Sequence, residues 1–567
     1  MVGGFWRLLG VVVGILIFLD QFVSSLSDDD RLKDPNYSSF MFDATSAPPR
    51  SHYDYIIVGG GTAGCPLAAT LSEKASVLLL ERGGSPYGNA NITDLAAFGK
   101  ALADLSPSSP AQQFVSEDGV ISARARVLGG GSCLNAGFYS RAPPHYVGAA
   151  GWDGGLVNES YRWVERMVAF QPPMKEWQSA VKDGLLEVGV HPFNGFTYDH
   201  LQGTKVGGTI FDGDMRRHTA ADLLKYANQK KLKVLLHASV QKILFRRKAG
   251  KKKPLAYGVV FTDALGKRHK AYLKHGPKTE IIISAGALGS PTLLMLSGIG
   301  PMGQLKAQNI TVVLDQPFVG QGMSDNPMNA VFVPSPSPVE VSLIQVVGVT
   351  RYGSFIEAAS GELFSAGLPV GDFSKFSTEA SKHILESAEP AALSGGFILE
   401  KTLGPVSTGE LRLKSKDPSE NPSVTFNYFE DPEDLRRCVE GMEVIEKVIE
   451  SKAFSTFRYD YLPVPVLLQI TANAPVNLRP KHENVSTSLE QFCKDTVMTI
   501  WHYHGGCQIE KVVDSQYRVI GVDALRVIDG STFKHSPGTN PQATVMMLGR
   551  YMGVKILQER RQKSFRK

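Results

Sequence analysis

The stretch Thr499-Ile-Trp-His-Tyr-His-Gly-Gly-Cys507 sets two histidines two residues apart, beside a tryptophan and ahead of paired glycines. Imidazole titrates close to neutrality, so His502 or His504 could serve as a general base. The same spacing would also suit a metal site, or a strand with two satisfied rings. In an extended segment both side chains share a face, so spacing alone does not choose between them. Further on, Asn540 in Pro537-Gly-Thr-Asn-Pro541 offers an amide donor for a developing oxyanion, or simply a turn before proline.

Two glycine-rich stretches point to what such a base would work beside. Tyr53-Asp-Tyr-Ile-Ile-Val-Gly-Gly-Gly-Thr-Ala-Gly-Cys-Pro-Leu-Ala-Ala-Thr-Leu71 runs from a β pattern through glycines into a helical pattern. Gly59 permits a tight turn, Gly61 lets backbone approach a pyrophosphate, and Gly64 lets helix and strand lie close, with the helix N-terminal amides facing the anion. The next apolar run, Ser76–Leu80, ends in Glu81, placed to take the ribose hydroxyls of a dinucleotide and to repel a 2′-phosphate. NADP is thereby disfavoured. The second stretch, Arg124-Ala-Arg-Val-Leu-Gly-Gly-Gly-Ser-Cys-Leu-Asn-Ala-Gly137, offers consecutive amides for an anion nest, with Ser132 and Asn135 as polar partners for a ribityl chain or flavin ring. NAD proteins need no such second loop, so FAD is the expected cofactor. A third run, Lys278 to Gly300, reads as a buried strand, small residues and a helix, a return to the nucleotide fold after an excursion.

The elements that hold these groups must come from more than one domain, since 567 residues exceed one ordinary core. Apolar residues make up 43% and charged residues 20%, an ordinary globular balance with room to bury a large cofactor. The net charge of +5 is spread along the chain except at Arg246, Arg247, Lys248 and Lys251–Lys253, which read as a hairpin tip; no nucleic-acid partner is expected. At the N-terminus Arg7 precedes an apolar run from Leu8 to Leu19, short for a bilayer span, with Ser24 and Ser25 as small residues for a peptidase. Residues 1–26 are therefore read as a cleaved secretory signal, with an uncleaved anchor as the alternative, and no stable membrane span is expected. Sequons begin at Asn36, Asn91, Asn158, Asn309 and Asn484, which fits passage through the ER to the cell exterior. Five cysteines show no zinc spacing, so no metal is expected, and one disulfide, Cys438 with Cys493, is the expected pair.

The chain resembles the glucose–methanol–choline (GMC) oxidoreductases. Gly286-Ala-Leu-Gly-Ser-Pro-Thr-Leu-Leu-Met-Leu-Ser-Gly-Ile-Gly300 and Val127-Leu-Gly-Gly-Gly-Ser-Cys-Leu-Asn135 look like that family's two signatures. Val319-Gly-Gln-Gly-Met-Ser-Asp-Asn-Pro327, Leu525–Ser531 and Asn540–Thr544 resemble further blocks, so the likeness runs from about residue 52 to 558. Within the family, Phe193–His200, Trp501–Cys507 and Leu548–Leu557 look like the plant branch of HOTHEAD-like and (R)-mandelonitrile-lyase-like proteins, nearer the former.

The resemblance implies an α/β, two-domain architecture: a discontinuous Rossmann-like FAD-binding domain with a mixed sheet and a smaller sheet, beside a substrate domain built on an antiparallel sheet. FAD pieces are expected at 51–145, 205–320 and 500–567, and substrate pieces at 146–204 and 321–499. Residues 27–50 would be a tether, and 331–400, with weak periodicity and Pro334, Pro336 and Pro338, would be cap and loops that choose the substrate.

The cofactor wall expected from motifs and resemblance comprises Gly59, Gly61, Thr62, Ala63, Gly64, Glu81 and Arg82, then Val127, Gly131, Ser132, Asn135, Ala136, Gly137 and Phe138, and then Val240, Trp501, His502, Asp529, Gly530, Pro541 and Gln542. Leu134 stands where covalently linked relatives carry histidine, implying non-covalent FAD. The terminal motif maps the base onto His502 and the substrate-oxygen donor onto Asn540, leaving His504 structural.

The activity implied is oxidation of a primary alcohol, with a long-chain ω-hydroxy fatty acid as the substrate suggested. The electron acceptor stays open among oxygen, a quinone and another protein. The alternatives are a hydroxynitrile lyase using FAD without redox turnover and a secreted flavoprotein without turnover. The lyase pattern carries Tyr-Trp-His where this chain has Ile500-Trp501-His502, and a second histidine where it has Asn540.

Overall fold

The computed structural model describes residues 39–247, 250, 253–276, 278–361, 395–538 and 540–565. Buried β-branched and leucine runs, Tyr55–Val58 (YIIV), Val77–Leu80 (VLLL) and Glu280–Ile283 (EIII), form the centre of a six-stranded sheet. Continuous apolar runs suit a sheet covered on both faces. The strand order is 41–43, 232–236, 77–80, 55–58, 280–283, 525–527. All five pairings are parallel, where a mixed sheet was expected. Successive side chains alternate between two cores: Ile56, Val58, Leu78, Leu80, Ile281 and Ile283 face one, and Tyr55, Ile57, Val77, Leu79 and Ile282 the other.

Residues 39–50, read as part of a tether, instead supply the edge strand Met41–Asp43 and the start of Arg50–Tyr53, which joins a four-stranded sheet with 239–247, 254–262 and 268–273. Edge pairing draws on backbone groups, so a stretch without apolar periodicity can still be recruited. Of the basic run, Arg246 and Arg247 end a strand and pair with Leu255 and Pro254, while Lys248, Lys251 and Lys252 lie outside the described residues. The signal region and Asn36 lie outside the described residues. Among the described residues no helix is long and apolar enough to cross a membrane.

A seven-stranded sheet, largely antiparallel, orders strands 498–499, 327–334, 395–402, 354–360, 346–349, 203–206 and 193–196. The stretch 331–400 was expected to be cap and loops, yet its described parts hold strands. These strands are buried on both faces, so they lack the two-residue polar alternation by which a strand is recognised. The C-terminal helix Gln542–Phe565 lies on the helix Gly64–Ser72. A Cβ on Gly549 would come within 2.3 Å of the Ala63 carbonyl oxygen, and one on Gly553 within 2.7 Å of Thr70 Cβ. At the start of the C-terminal helix Gln542 Oε1 accepts from Asn135 Nδ2 of the second glycine stretch at 2.9 Å.

The expected disulfide is present. Cys438, in the helix Pro432–Glu450, is bonded to Cys493, in the helix Leu489–Thr496.

Candidate active site

The two glycine loops meet face to face. Gly59 has φ 101°, and a Cβ there would lie 2.3 Å from the Ser284 carbonyl oxygen. A Cβ on Gly130 would come within 2.7 Å of Gly61 Cα, so the first loop excludes a side chain at that point of the second. The Gly129 N–H donates to the Gly60 carbonyl at 2.7 Å. Gly64 does not line the resulting cavity; a Cβ there would sit 2.0 Å from the Gly59 carbonyl oxygen, which makes it the helix–strand spacer expected.

A cavity of about 320 Å³ runs from these loops to the histidine pair. With the exception of Gly64, every residue expected on the cofactor wall lines it, as does Asn540. Glu81 is buried, its carboxylate accepting from the Gly60 N–H at 2.9 Å and the Gly83 N–H at 2.8 Å. Each oxygen keeps a lone pair for a further donor, as ribose hydroxyls require. Burial pushes the Glu81 pKa up, opposed by these amides. Asp529 accepts from Gly286 N–H, Ser290 Oγ and Ser531 N–H, tying the helix Gly286–Leu296 to the end of the strand Leu525–Val527.

Ser132 and Asn135, expected as polar partners of the cofactor, line the cavity and also bond within the protein. The Ser132 hydroxyl donates to the Gly129 carbonyl at 2.7 Å and accepts from Ala220 N–H at 2.9 Å. Asn135 donates to Gln542 Oε1 at 2.9 Å, while its carbonyl takes Gly137 N–H and Arg217. Both shape the second loop through their own side chains. Arg82 is held by Gln112 Oε1 and the Ala125 carbonyl, and the buried Trp501 Nε1 has no protein acceptor among the described residues.

The two histidines separate before the paired glycines. Trp501 has φ 58°, which breaks the extended course of Met498–Thr499 and carries His502 to the cavity wall. Gly505 and Gly506, each at φ 89°, turn the chain again only after His504. Such left-handed backbone on a bulky residue persists only where surrounding contacts hold it. Asp325 helps hold this segment, accepting from Thr499 Oγ1 and Tyr428 OH, each at 2.6 Å; burial raises its pKa to about 6. His504 pairs through backbone with Ser324, donates Nδ1–H to the His502 carbonyl at 3.1 Å and does not line the cavity.

His502 Nδ1 lies 3.1 Å from the Asn326 side-chain amide, leaving Nε2 without a protein partner among the described residues. Burial, and after it the charge of Lys401 and the neighbouring His504, hold the His502 pKa well below the ordinary histidine value. The ring is therefore neutral, and its Nε2 can take a proton in the tautomer that carries the ring hydrogen on Nδ1. Asn540 Oδ1 accepts from Lys401 Nζ at 3.2 Å, and Lys401 in turn pairs with Glu357 Oε2 at 2.8 Å.

Asn326, Lys401 and Glu357 were missed in the sequence. Asn326 lay inside a recognised block, Val319–Pro327. The signal for the other two was ionisable residues inside otherwise apolar strands, SFIEAAS and GGFILEKT.

Residues 53–328 and 405–549 match the two sequence profiles of the GMC oxidoreductases. The chain belongs to the GMC oxidoreductase family. It is 55% identical to Protein HOTHEAD of Arabidopsis thaliana over 90% of this chain and 89% of that protein. It is 49% identical to an (R)-mandelonitrile lyase-like protein of the same plant, over 93% of each. With sinalpyl alcohol oxidase Nec3 of Nesocodon mauritianus it shares 43% identity over 92% of each chain. Among solved structures, formate oxidase superposes with a TM-score of 0.72 at 19% identity, covering 91% of this chain and all of that one. Pyridoxine 4-oxidase from Mesorbium loti gives 0.71 at 21% identity, covering 88% of this chain and 98% of that one.

As a GMC member the chain is an FAD-dependent oxidoreductase. The residues present fit that cofactor: apposed glycine loops that a Cβ would fill, a buried carboxylate with lone pairs to spare, and the orphaned Trp501 Nε1.

Proposed function

We propose that the protein oxidises a primary alcohol, with a long-chain ω-hydroxy fatty acid as the substrate. His502 Nε2 takes the hydroxyl proton and Asn540 Nδ2–H donates to the substrate oxygen as it gains negative charge. The observation that carries this reading is that a neutral buried imidazole and a side-chain amide share the wall of the cofactor cavity. An imidazole kept unprotonated is a competent base at neutral pH, and a fixed amide donor in a water-poor site stabilises an alkoxide-like transition state. FAD held non-covalently by the Gly59–Gly64 and Gly129–Gly131 loops and Glu81 supplies the hydride acceptor. The alcohol oxidase relative supports an alcohol as the substrate class.

We further propose the piecewise division of the chain given above, with residues 39–50 added to the FAD part, and with the nucleotide sheet and the seven-stranded sheet as the centres of the FAD and substrate domains. The route is secretory: the four described sequon asparagines, Asn91, Asn158, Asn309 and Asn484, are all exposed and open to glycans, and a disulfide suits an oxidising compartment.

The second reading is cyanohydrin cleavage, favoured by the lyase-named relatives and by the buried Lys401 cation beside Asn540. Against it, Ile500 lacks a phenol hydroxyl, Asn540 cannot hand a proton to cyanide, and Glu357 neutralises Lys401. Anaerobic mixing of the FAD-loaded protein with primary alcohols, ω-hydroxy fatty acids and mandelonitrile separates the readings. Bleaching of flavin absorbance by an alcohol is the expected result. Cyanide release with an unbleached spectrum would establish the lyase, and neither response would leave a flavoprotein without turnover.

A further inference from the structure

In the seven-stranded sheet, Ser354–Ser360 runs antiparallel to Gly395–Thr402, with Phe355 opposite Lys401. Side chains alternate along a strand, so Phe355, Glu357 and Lys401 share one face. Lys401 Nζ sits 4.4 Å above the Phe355 ring centroid and 2.8 Å from Glu357 Oε2, and both charged side chains are fully buried. A third contact leaves the sheet, to Asn540 at 3.2 Å.

An ammonium group has three donors and no acceptor, whereas a carboxamide has one end of each kind. The end of Asn540 that meets Lys401 must therefore be its carbonyl oxygen. The NH₂ end is left for the cavity that Asn540 and His502 line, with no acceptor among the described residues. Without the lysine, nothing would stop the amide turning over, which would present an oxygen to the substrate oxygen and repel it. We propose that Lys401, itself held by Glu357, is a positioning residue that fixes the Asn540 amide with its N–H groups toward the substrate oxygen. The pair is costly as mere packing, since burying two charges seldom outperforms apolar residues of the same volume. This inference rests on the alcohol-oxidation reading in taking Asn540 as the donor to the substrate oxygen.

The test is a mutant cycle on the FAD-loaded protein: Glu357→Gln with Lys401→Met, which removes both charges together, Asn540→Ala, and all three substitutions combined. Flavin content and melting temperature check folding. One readout is flavin reduction by primary alcohols. The other is benzaldehyde affinity by flavin fluorescence quenching, because a carbonyl oxygen accepts from the same N–H whether or not hydride transfer follows. Lys401 acting through Asn540 predicts that the charge-pair variant and Asn540→Ala each lose about tenfold in both readouts, while the triple variant loses no more than Asn540→Ala alone. Losses that multiply, an unaffected charge-pair variant, or no benzaldehyde binding by the unmodified protein would each overturn the inference. If no alcohol reduces the unmodified protein, the oxidation reading fails, and the benzaldehyde cycle still decides the role of Lys401.

Discussion

Asn326 Nδ2 and Nδ1 of His502 lie 3.1 Å apart, and which end of that amide faces the ring decides what His502 can do. If the amide donates, Nδ1 is the acceptor, the ring proton sits on Nε2, and the cavity faces a nitrogen that cannot take another. If the amide is turned so that its oxygen accepts Nδ1–H, Nε2 keeps its lone pair for the substrate proton. A base therefore requires the second form, which becomes stronger still once the ring is positively charged.

Asn326→Leu should accordingly retain FAD and slow flavin reduction by about tenfold to a hundredfold, less than the loss expected on removing a general base outright. Asn326→Asp can only accept, so it should preserve the base while its negative charge moves the acid limb of the rate profile to higher pH. Stopped-flow reduction between pH 5 and 9 reads both. Full activity in Asn326→Leu would show that the ring is oriented by something else.

His502→Ala leaves the glycine loops and Glu81 intact, so the yellow flavin spectrum should persist. Reduction by alcohol should fall by about a hundredfold to ten-thousandfold, the usual contribution of a positioned base. His504→Ala, behind the cavity wall, should change the reductive step far less. A reversed pattern would mean that the other histidine is the base, and normal reduction in both would remove the imidazole mechanism altogether.

His504 is nevertheless a source of acid sensitivity. Burial, opposed by its hydrogen bond to the His502 carbonyl, lowers its pKa from 6.5 to about 4. Between these values the unfolded chain binds a proton that the folded chain refuses. Its contribution to stability is thus complete above the unfolded pKa and is lost as the pH falls toward 4, at most about 3 kcal/mol. Thermal melts from pH 7 to 4 should show a shallower decline for His504→Asn, whose side-chain N–H can still reach the His502 carbonyl. An unchanged slope would assign the acid sensitivity to other groups.

What was legible in the sequence followed from local constraint. Gly59 and Gly64 must lack side chains because backbone stands where a Cβ would go, so the motif carries its own geometry. Lys401 and Glu357 carry no such mark. They meet Asn540 only because two strands pair and then face a segment 139 residues from Lys401 in the chain. Asn326 reaches His502 across 176 residues for the same reason. The turn at Trp501 was also hidden, since a left-handed tryptophan goes against local preference and is imposed by its surroundings.

Cys438 and Cys493, 55 residues apart, link two helices that pack around the sheet bearing Lys401. The helix Pro432–Glu450 approaches that sheet closely: a Cβ on Gly441 would stand 2.3 Å from Glu400 Cγ. Cys493 is fastened to the strand Pro327–Pro334 as well, its carbonyl accepting from Asn329 Nδ2 at 3.0 Å. Closing a loop of that length removes unfolded-state freedom worth up to about 4 kcal/mol. Cys438→Ser with Cys493→Ser should therefore lower the unfolding free energy by an amount approaching that figure. The flavin reduction rate of the folded fraction should stay within about twofold, because neither sulfur touches the cavity and distant sites act independently. Denaturant titration and stopped-flow reduction on the same preparation measure the two effects. A large fall in rate with no change in stability would mean that the bridge governs the geometry of the site instead of the balance between folded and unfolded chain.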